Sequence, residues 1–188
     1  DVITFQPGTT GTIGLSTDLP ALTGPVEITG PGSDKLTIAG TYLNTFRMFK
    51  TDADLQLSGL HLTKGNFNTS GGAVASTSAD LVLKDVVIDQ SRSYTGEGGA
   101  VYVNGGTLDV ENSNVIANLA AVGAGISVHG ATSASISTTQ IARNDAHYFF
   151  DPGPNPETNR GGGLMVEDTG SLTIDESVIS GNSSDTDG

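Results

Sequence analysis

A glycine-rich tetrapeptide recurs four times along this chain: Gly71-Gly72-Ala73-Val74, Gly98-Gly99-Ala100-Val101, Gly123-Ala124-Gly125-Ile126 and Gly161-Gly162-Gly163-Leu164. After each comes a polar gap and an alternating stretch, at Leu81-Val82-Leu83, Leu108-Asp109-Val110, Ser135-Ile136-Ser137 and Leu172-Thr173-Ile174. A third apolar position follows at Ile88, Val115, Ile141 and Ile179. Three units then reach an asparagine, at Asn118, Asn144 and Asn182, and the first unit has Ser91 in that place. Repetition of this kind leaves few folds open. A unit this short cannot bury its own apolar face, so successive units must stack and share one core.

The spacing between tetrapeptides is 27 residues, then 25, then 38. The excess lies in Ala146-His147-Tyr148-Phe149-Phe150-Asp151-Pro152-Gly153-Pro154-Asn155-Pro156, and removing about a dozen residues there restores the period. An insertion confined to one repeat maps to a loop on a stacked array. Residues 1–70 follow the same logic less regularly. Alternation occurs at Val2-Ile3-Thr4-Phe5, Val26-Glu27-Ile28, Leu36-Thr37-Ile38 and Leu55-Gln56-Leu57, separated by turn clusters such as Gly30-Pro31-Gly32-Ser33-Asp34. No segment carries a 3.6-residue apolar stripe, so no helix is predicted.

The expected fold is therefore all-β: a right-handed parallel β-helix of about seven coils, each with about three short strands. Handedness follows from the rule for parallel crossovers. Residues 1–188 form a single solenoid segment, with less regular coils over 1–70 and four glycine-rich repeats over 71–188, interrupted near 146–160. Residues one period apart should sit above one another. Val74, Val101, Ile126 and Leu164 make one inward column; Leu83, Val110, Ile136 and Ile174 a second; Ile88, Val115, Ile141 and Ile179 a third. The glycines ahead of the first column suit a sharp corner with positive φ or close backbone approach. Asn118, Asn144 and Asn182 suit an amide ladder at another corner, or simple turns. Lys84, Glu111, Ser137 and Asp175 form an outward column in which Lys84 and Glu111 pair as a solvated face.

Composition removes several classes. The chain has no Cys, so disulfides, thiolate metal sites and Cys nucleophiles are excluded. Eight Lys and Arg against 21 Asp and Glu give a net charge of −13, the wrong sign for nucleic acid or an anionic membrane surface. No apolar run approaches the roughly 20 residues of a spanning helix.

The Gly-Gly-Ala-Val motif, followed by Val115-Ile116-Ala117-Asn118, Ile141-Ala142-Arg143-Asn144 and Ile179-Ser180-Gly181-Asn182, resembles the repeats of chlamydial polymorphic outer-membrane proteins. There the last element usually starts with Phe; here it starts with Val or Ile. Asp1-Val2-Ile3-Thr4-Phe5, Gly11-Thr12-Ile13, Ile28-Thr29-Gly30-Pro31-Gly32 and Leu36-Thr37-Ile38 resemble the opening coils of large bacterial extracellular right-handed β-helix proteins. The resemblance covers nearly the whole chain and implies a secreted or cell-surface solenoid. It says little about activity, because one solenoid hosts adhesins, lyases, epimerases and plain stalks.

Candidate chemistry is sparse. None of His61, His129 and His147 sits in a nucleophile motif, and His61 aligns with Asn114 and Gln140 in an outward polar slot. Asp85, Asp109, Glu111 and Asp175, with Lys84, are the carboxylates and base that a polysaccharide lyase or glycosidase would use on one face. No cofactor is expected. Ca²⁺ is the one metal the loops suit, with Asp151, Glu157, Asp185 and Asp187 as oxygen ligands. His147, Tyr148, Phe149 and Phe150 place three of the chain's ten aromatic residues in the insertion, which marks it as a ligand-binding loop. The alternative is that these rings fold back onto the solenoid.

The leading expectation is a non-catalytic extracellular module, an adhesin passenger or stalk presenting loops to a glycan or surface protein. The rival is a carbohydrate-active enzyme or a fragment of one. No polar cap is visible at either end, so a segment of a longer solenoid is expected, its C-terminal end covered by further repeats or another chain.

Overall fold

The structure, a computed structural model, describes residues 1–43, 45–147 and 160–184. It is an all-β solenoid in which every described strand pairs in parallel with strands one coil away. Two sheets hold seven strands each. Sheet A stacks Val2–Thr4, Val26–Thr29, Leu55–Ser58, Leu81–Lys84, Thr107–Glu111, Ser133–Ser137 and Leu172–Asp175. Sheet B stacks Gly11–Gly14, Leu36–Ala39, His61–Thr63, Val87–Asp89, Asn114–Ile116, Gln140–Ala142 and Val178–Ser180. Sheet C runs from Phe49–Thr51 through Val74–Thr77, Val101–Asn104 and Ile126–His129 to Leu164–Glu167. Sheet D holds two-residue strands only, from Asn66–Phe67 to Ser183–Ser184. Each complete coil thus has four strands rather than three. The added one lies between the asparagine corner and the glycine corner, too short to show a period of its own.

Register follows the repeat. Val74 pairs Val101, Val101 pairs Ile126, and Ile126 pairs Leu164. Leu83, Val110, Ile136 and Ile174 stack in sheet A. Ile88, Val115, Ile141 and Ile179 stack in sheet B. In the central coils these side chains are buried completely or nearly so. Each such burial stabilises by about 1.5–3 kcal/mol. The core is one continuous aliphatic column with Met48 and Phe49 among its members. At the last coil the columns open: Ile174 is 43% and Ile179 44% exposed.

Tight corners let a coil close in so few residues. Gly71, Gly98, Gly123 and Gly161 all take positive φ ahead of sheet C. Three further corners repeat the left-handed conformation, mostly with residues other than glycine. Gly59, Asp85, Asn112, Thr138 and Glu176 follow the sheet A strands; Lys64, Gln90, Ala117, Arg143 and Gly181 follow the sheet B strands; Ser78, Gly105, Gly130 and Asp168 follow the sheet C strands. An ordinary residue pays roughly 1–2 kcal/mol in that region, so the stack must hold these corners in place.

Two side-chain ladders help. At the corner between sheets B and D, the backbone N–H of Asn118 and its Nδ2 both donate to Asn144 Oδ1, at 3.0 and 2.9 Å. Asn144 repeats both bonds to Asn182 Oδ1. Nδ2 of each asparagine also donates to a carbonyl of the preceding coil, Ile88, Val115 and Ile141 in turn. The ladder continues to smaller residues: Ser91 N–H donates to Asn118 Oδ1, and Gly65 N–H to Ser91 Oγ. The corner between sheets A and B carries a second ladder. Val86, Ser113 and Thr139 N–H donate to the hydroxyls of Ser113, Thr139 and Ser177. Each hydroxyl donates back to the carbonyl two residues earlier.

Candidate functional site

Inward columns are nearly uniform, so chemical variety is confined to outward columns and corners. The outer face of sheet C departs most from regularity. One outward column reads Lys50, Ala75, Tyr102, Ser127, Met165. Its neighbour reads Thr77, Asn104, His129, Glu167. Ala75 is a small residue between two long ones. It leaves a notch whose walls, Lys50 and Tyr102, stand two strand spacings apart, roughly 10 Å.

The side of the notch is built by a substitution in the repeat. Phe49 stacks on Val74, so Phe46-Arg47-Met48-Phe49 occupies the place of the Gly-Gly-Ala-Val tetrapeptide one coil earlier. Phe46, Met48 and Phe49 are buried. Arg47 turns over the glycine corner of the next coil, where Nε donates to Gly71 O at 2.8 Å and Nη2 to Ser70 O. Its guanidinium lies 4.2 Å over the Phe67 ring. The Arg47 N–H donates to Asp18 Oδ1 at 3.0 Å. Burial pushes this guanidinium below its usual value and the Asp18 charge opposes that; an arginine keeps its charge regardless.

The result is a pair of hollows that share a wall. One, of about 370 Å³, is lined by Arg47, Lys50, Phe67, Thr69, Ser70, Ala75, Thr77 and Tyr102. The other, of about 200 Å³, shares Arg47, Lys50 and Phe67 and adds Asp18, Leu19 and Ala21. Lys50 is exposed and, among the described residues, makes no ion pair. Tyr102 is half-buried, and burial, then the nearby Glu97 charge, push its phenol above the ordinary value. It is a neutral hydroxyl at physiological pH.

Further along the same face lies a histidine between two carboxylates. His129 Nε2 contacts Glu97 Oε2, and Nδ1 lies 3.4 Å from Glu167 Oε2. Ser127 Oγ donates to Glu97 at 2.8 Å and lies 3.1 Å from His129 Nε2. Ser, His and Glu in contact invite comparison with a nucleophilic triad. Ser127 is fully buried and already engaged by Glu97, so its oxygen is closed to a substrate. Glu97 comes from the corner loop, held by its N–H to Ser70 Oγ at 3.2 Å. The cluster pins that loop onto sheet C, and Arg160 lies 3.8 Å from Glu167 where the insertion rejoins.

The other candidates fall elsewhere. His61 shares its outward column with Val87, Asn114 and Gln140 but is half-buried, 3.4 Å from Thr37 Oγ1 and 3.1 Å from Asp89 Oδ2. The Asp89 contact is a charge contact without good hydrogen-bond alignment at Nε2. Burial pushes the Asp89 carboxyl up. The close His61 contact, the hydrogen bond from Thr63 and the nearby Lys64 charge together outweigh this and hold it below its ordinary value. Asp109 and Glu111 both face out of sheet A, two residues apart on one strand. Glu111 binds Lys84 at 3.0 Å, and Asp85 accepts from Asn112 Nδ2. Asp175 stacks on Ser137 at the open last coil. A third hollow, about 310 Å³, spans Asp1, Glu27, Asp54 and Asp80 at the N-terminal edge of sheet A.

Of the insertion residues, His147 is described: it is exposed, and its N–H donates to Ala120 O at 2.8 Å. Tyr148, Phe149 and Phe150 lie outside the described residues, as do the suggested calcium ligands Asp151, Glu157, Asp185 and Asp187. Among the described residues no three His, Asp or Glu side chains are placed to hold a metal ion. No helix there is long and apolar enough to cross a membrane. Comparison with protein-family models, curated proteins and solved structures found no match for the chain.

Proposed function

We propose that the chain is a non-catalytic extracellular or cell-surface binding module, an adhesin or stalk whose solenoid presents a recognition surface to a glycan or protein. The observation that carries this reading is the groove over Ala75. It joins an aromatic wall, an exposed ammonium with no ion pair among the described residues, and a rim of Thr69, Ser70 and Thr77 on a sheet. Few polar groups converging on a partly apolar cleft is the general form of a ligand site. The acidic balance and the repeat resemblance support a place outside the cell.

The carbohydrate-active enzyme keeps one observation in its favour, the outward placement of Asp109 and Glu111 beside Lys84. A glycan array together with an assay for unsaturated or reducing sugar products separates the two. Binding without turnover, lost on Ala75→Leu, is expected. Turnover lost on Asp109→Asn or Glu111→Gln refutes the binding-module reading.

A further inference from the structure

We infer that the groove over Ala75 takes a saccharide ring bearing a carboxylate, with Lys50 as the group that selects the acid. The inference rests on the binding-module reading and assigns its ligand class. Its starting point is which polar groups in the groove remain available. Arg47 is held by the Gly71 and Ser70 carbonyls and lies beside Asp18. Its guanidinium therefore shapes the wall by covering Phe67. Lys50 has no carboxylate within ion-pair distance among the described residues, in a chain with 21 acidic residues and only eight Lys and Arg. An unpaired ammonium on the wall of a cleft is a ready partner for an anion.

The rest of the groove specifies what carries that anion. Its lining alternates a ring with hydroxyls: Tyr102 stands across the Ala75 floor from Lys50, and Thr69, Ser70 and Thr77 lie along the rim. The phenol of Tyr102 stays protonated, so it donates as well as accepts. A sugar ring has an apolar face to lay on an aromatic wall and hydroxyls around its edge to exchange bonds with such a rim. An acidic peptide would use the ammonium but leave most of the hydroxyls without a designated partner. The net charge of −13 rules out long-range attraction of anions, so selection rests on contact inside the groove.

The test compares methyl glucuronide with methyl glucoside, which differ at the carboxylate, by NMR titration of the intact chain at physiological salt. The glucuronide is expected to bind about tenfold tighter, as one charge-assisted bond allows. Lys50→Met is expected to erase that preference, bringing the glucuronide down to the level of the glucoside. Ala75→Leu is expected to abolish binding of both; Lys50, being exposed, gives a variant that folds whatever Ala75→Leu does. Equal binding of the two sugars, or an unchanged preference in Lys50→Met, overturns the assignment. So does tighter binding of a glutamate tripeptide at the same residues. If neither sugar binds but a protein or other glycan partner is lost on Ala75→Leu, the acidic-saccharide assignment falls and the binding-module reading stands. If every partner survives both substitutions, the groove is not the recognition surface and both fall.

Discussion

Replacing Asn144 by Ala tests the asparagine ladder at the coil where it is most complete. The side chain is fully buried and makes four hydrogen bonds. Its Oδ1 accepts from the Asn118 N–H and Nδ2; its Nδ2 donates to Val115 O and Asn182 Oδ1, all within 2.9–3.0 Å. Alanine removes those four bonds in a packed interior, although Asn118 Nδ2 keeps Ile88 O and Asn182 Oδ1 keeps the Asn144 N–H. A net hydrogen bond contributes about 1 kcal/mol, and a stranded buried partner costs about 1–3 kcal/mol. Some partners regain water at the new cavity, so the expected loss is about 4 kcal/mol. For a chain of this size that lowers Tm by roughly 8–16 °C, measured by far-UV circular dichroism alongside urea denaturation. Asn144→Asp sharpens the test. The carboxylate still accepts from Asn118 but turns an oxygen on Val115 O and Asn182 Oδ1, with no proton for either. It should be worse than alanine at neutral pH. Burial raises this carboxyl above its unfolded value, so the deficit grows as pH rises through the unfolded value and shrinks on acidification. Asn182→Ala, at a half-buried rung, should cost only about 1–2 kcal/mol. A loss below about 1 kcal/mol for Asn144→Ala, or an Asn182→Ala variant equally damaged, would refute the view that the ladder holds the corner.

Gly98→Ala should cost about 3 kcal/mol in urea denaturation, because φ is 64° and a Cβ there would lie 2.2 Å from Val101 O. Thr138→Gly should go the other way, raising Tm by about 1–3 °C, since a β-branched residue there holds a φ of 50°; a fall in Tm overturns the claim of strain. Asp89 has a depressed folded value, so its contribution is present above the unfolded value near 3.8 and is lost as pH falls through the folded one. Asp89→Asn should therefore lower Tm at pH 7 and narrow the gap to the parent near pH 3, read by thermal melts across that range.

The fold was readable because the register of a solenoid is its period. Once Gly71 and Gly98 are seen as the same corner, every residue between them has a known neighbour, and the three aliphatic columns follow. The asparagine ladder was readable in part, since Asn118, Asn144 and Asn182 suit a ladder and a turn equally; bonds at 2.9–3.0 Å make it a ladder. The Ser113, Thr139 and Ser177 ladder carried no signal, because Ser and Thr are ordinary in any turn. The left-handed corners at Ala117 and Thr138 were hidden for the opposite reason: neither residue favours that conformation, and only the stacked backbone imposes it.

The groove was not readable at all, and its cause shows where function hides in such a chain. Inward positions obey one packing rule at every coil, so they repeat and announce themselves. A binding surface needs the repeat to fail. It fails where Phe46-Arg47-Met48-Phe49 stands in for a glycine-rich tetrapeptide, which removed that coil from the visible series and with it the alignment of Lys50. It fails again after Ala146, where the insertion leaves sheet D before rejoining at Arg160. Both failures lie at the same corner, between sheets D and C, and the Glu97, His129 and Glu167 cluster fastens the corner loops onto the sheet between them. The two corners flanking sheet B are closed by hydrogen-bond ladders running from coil to coil, which any insertion would break. The glycine corner depends on conformation instead, and a corner loop can lengthen or change residue there without stranding a buried partner. Variation along this edge therefore costs the solenoid less than at either ladder corner, and the edge is where repeats of this design should differ when their ligands differ.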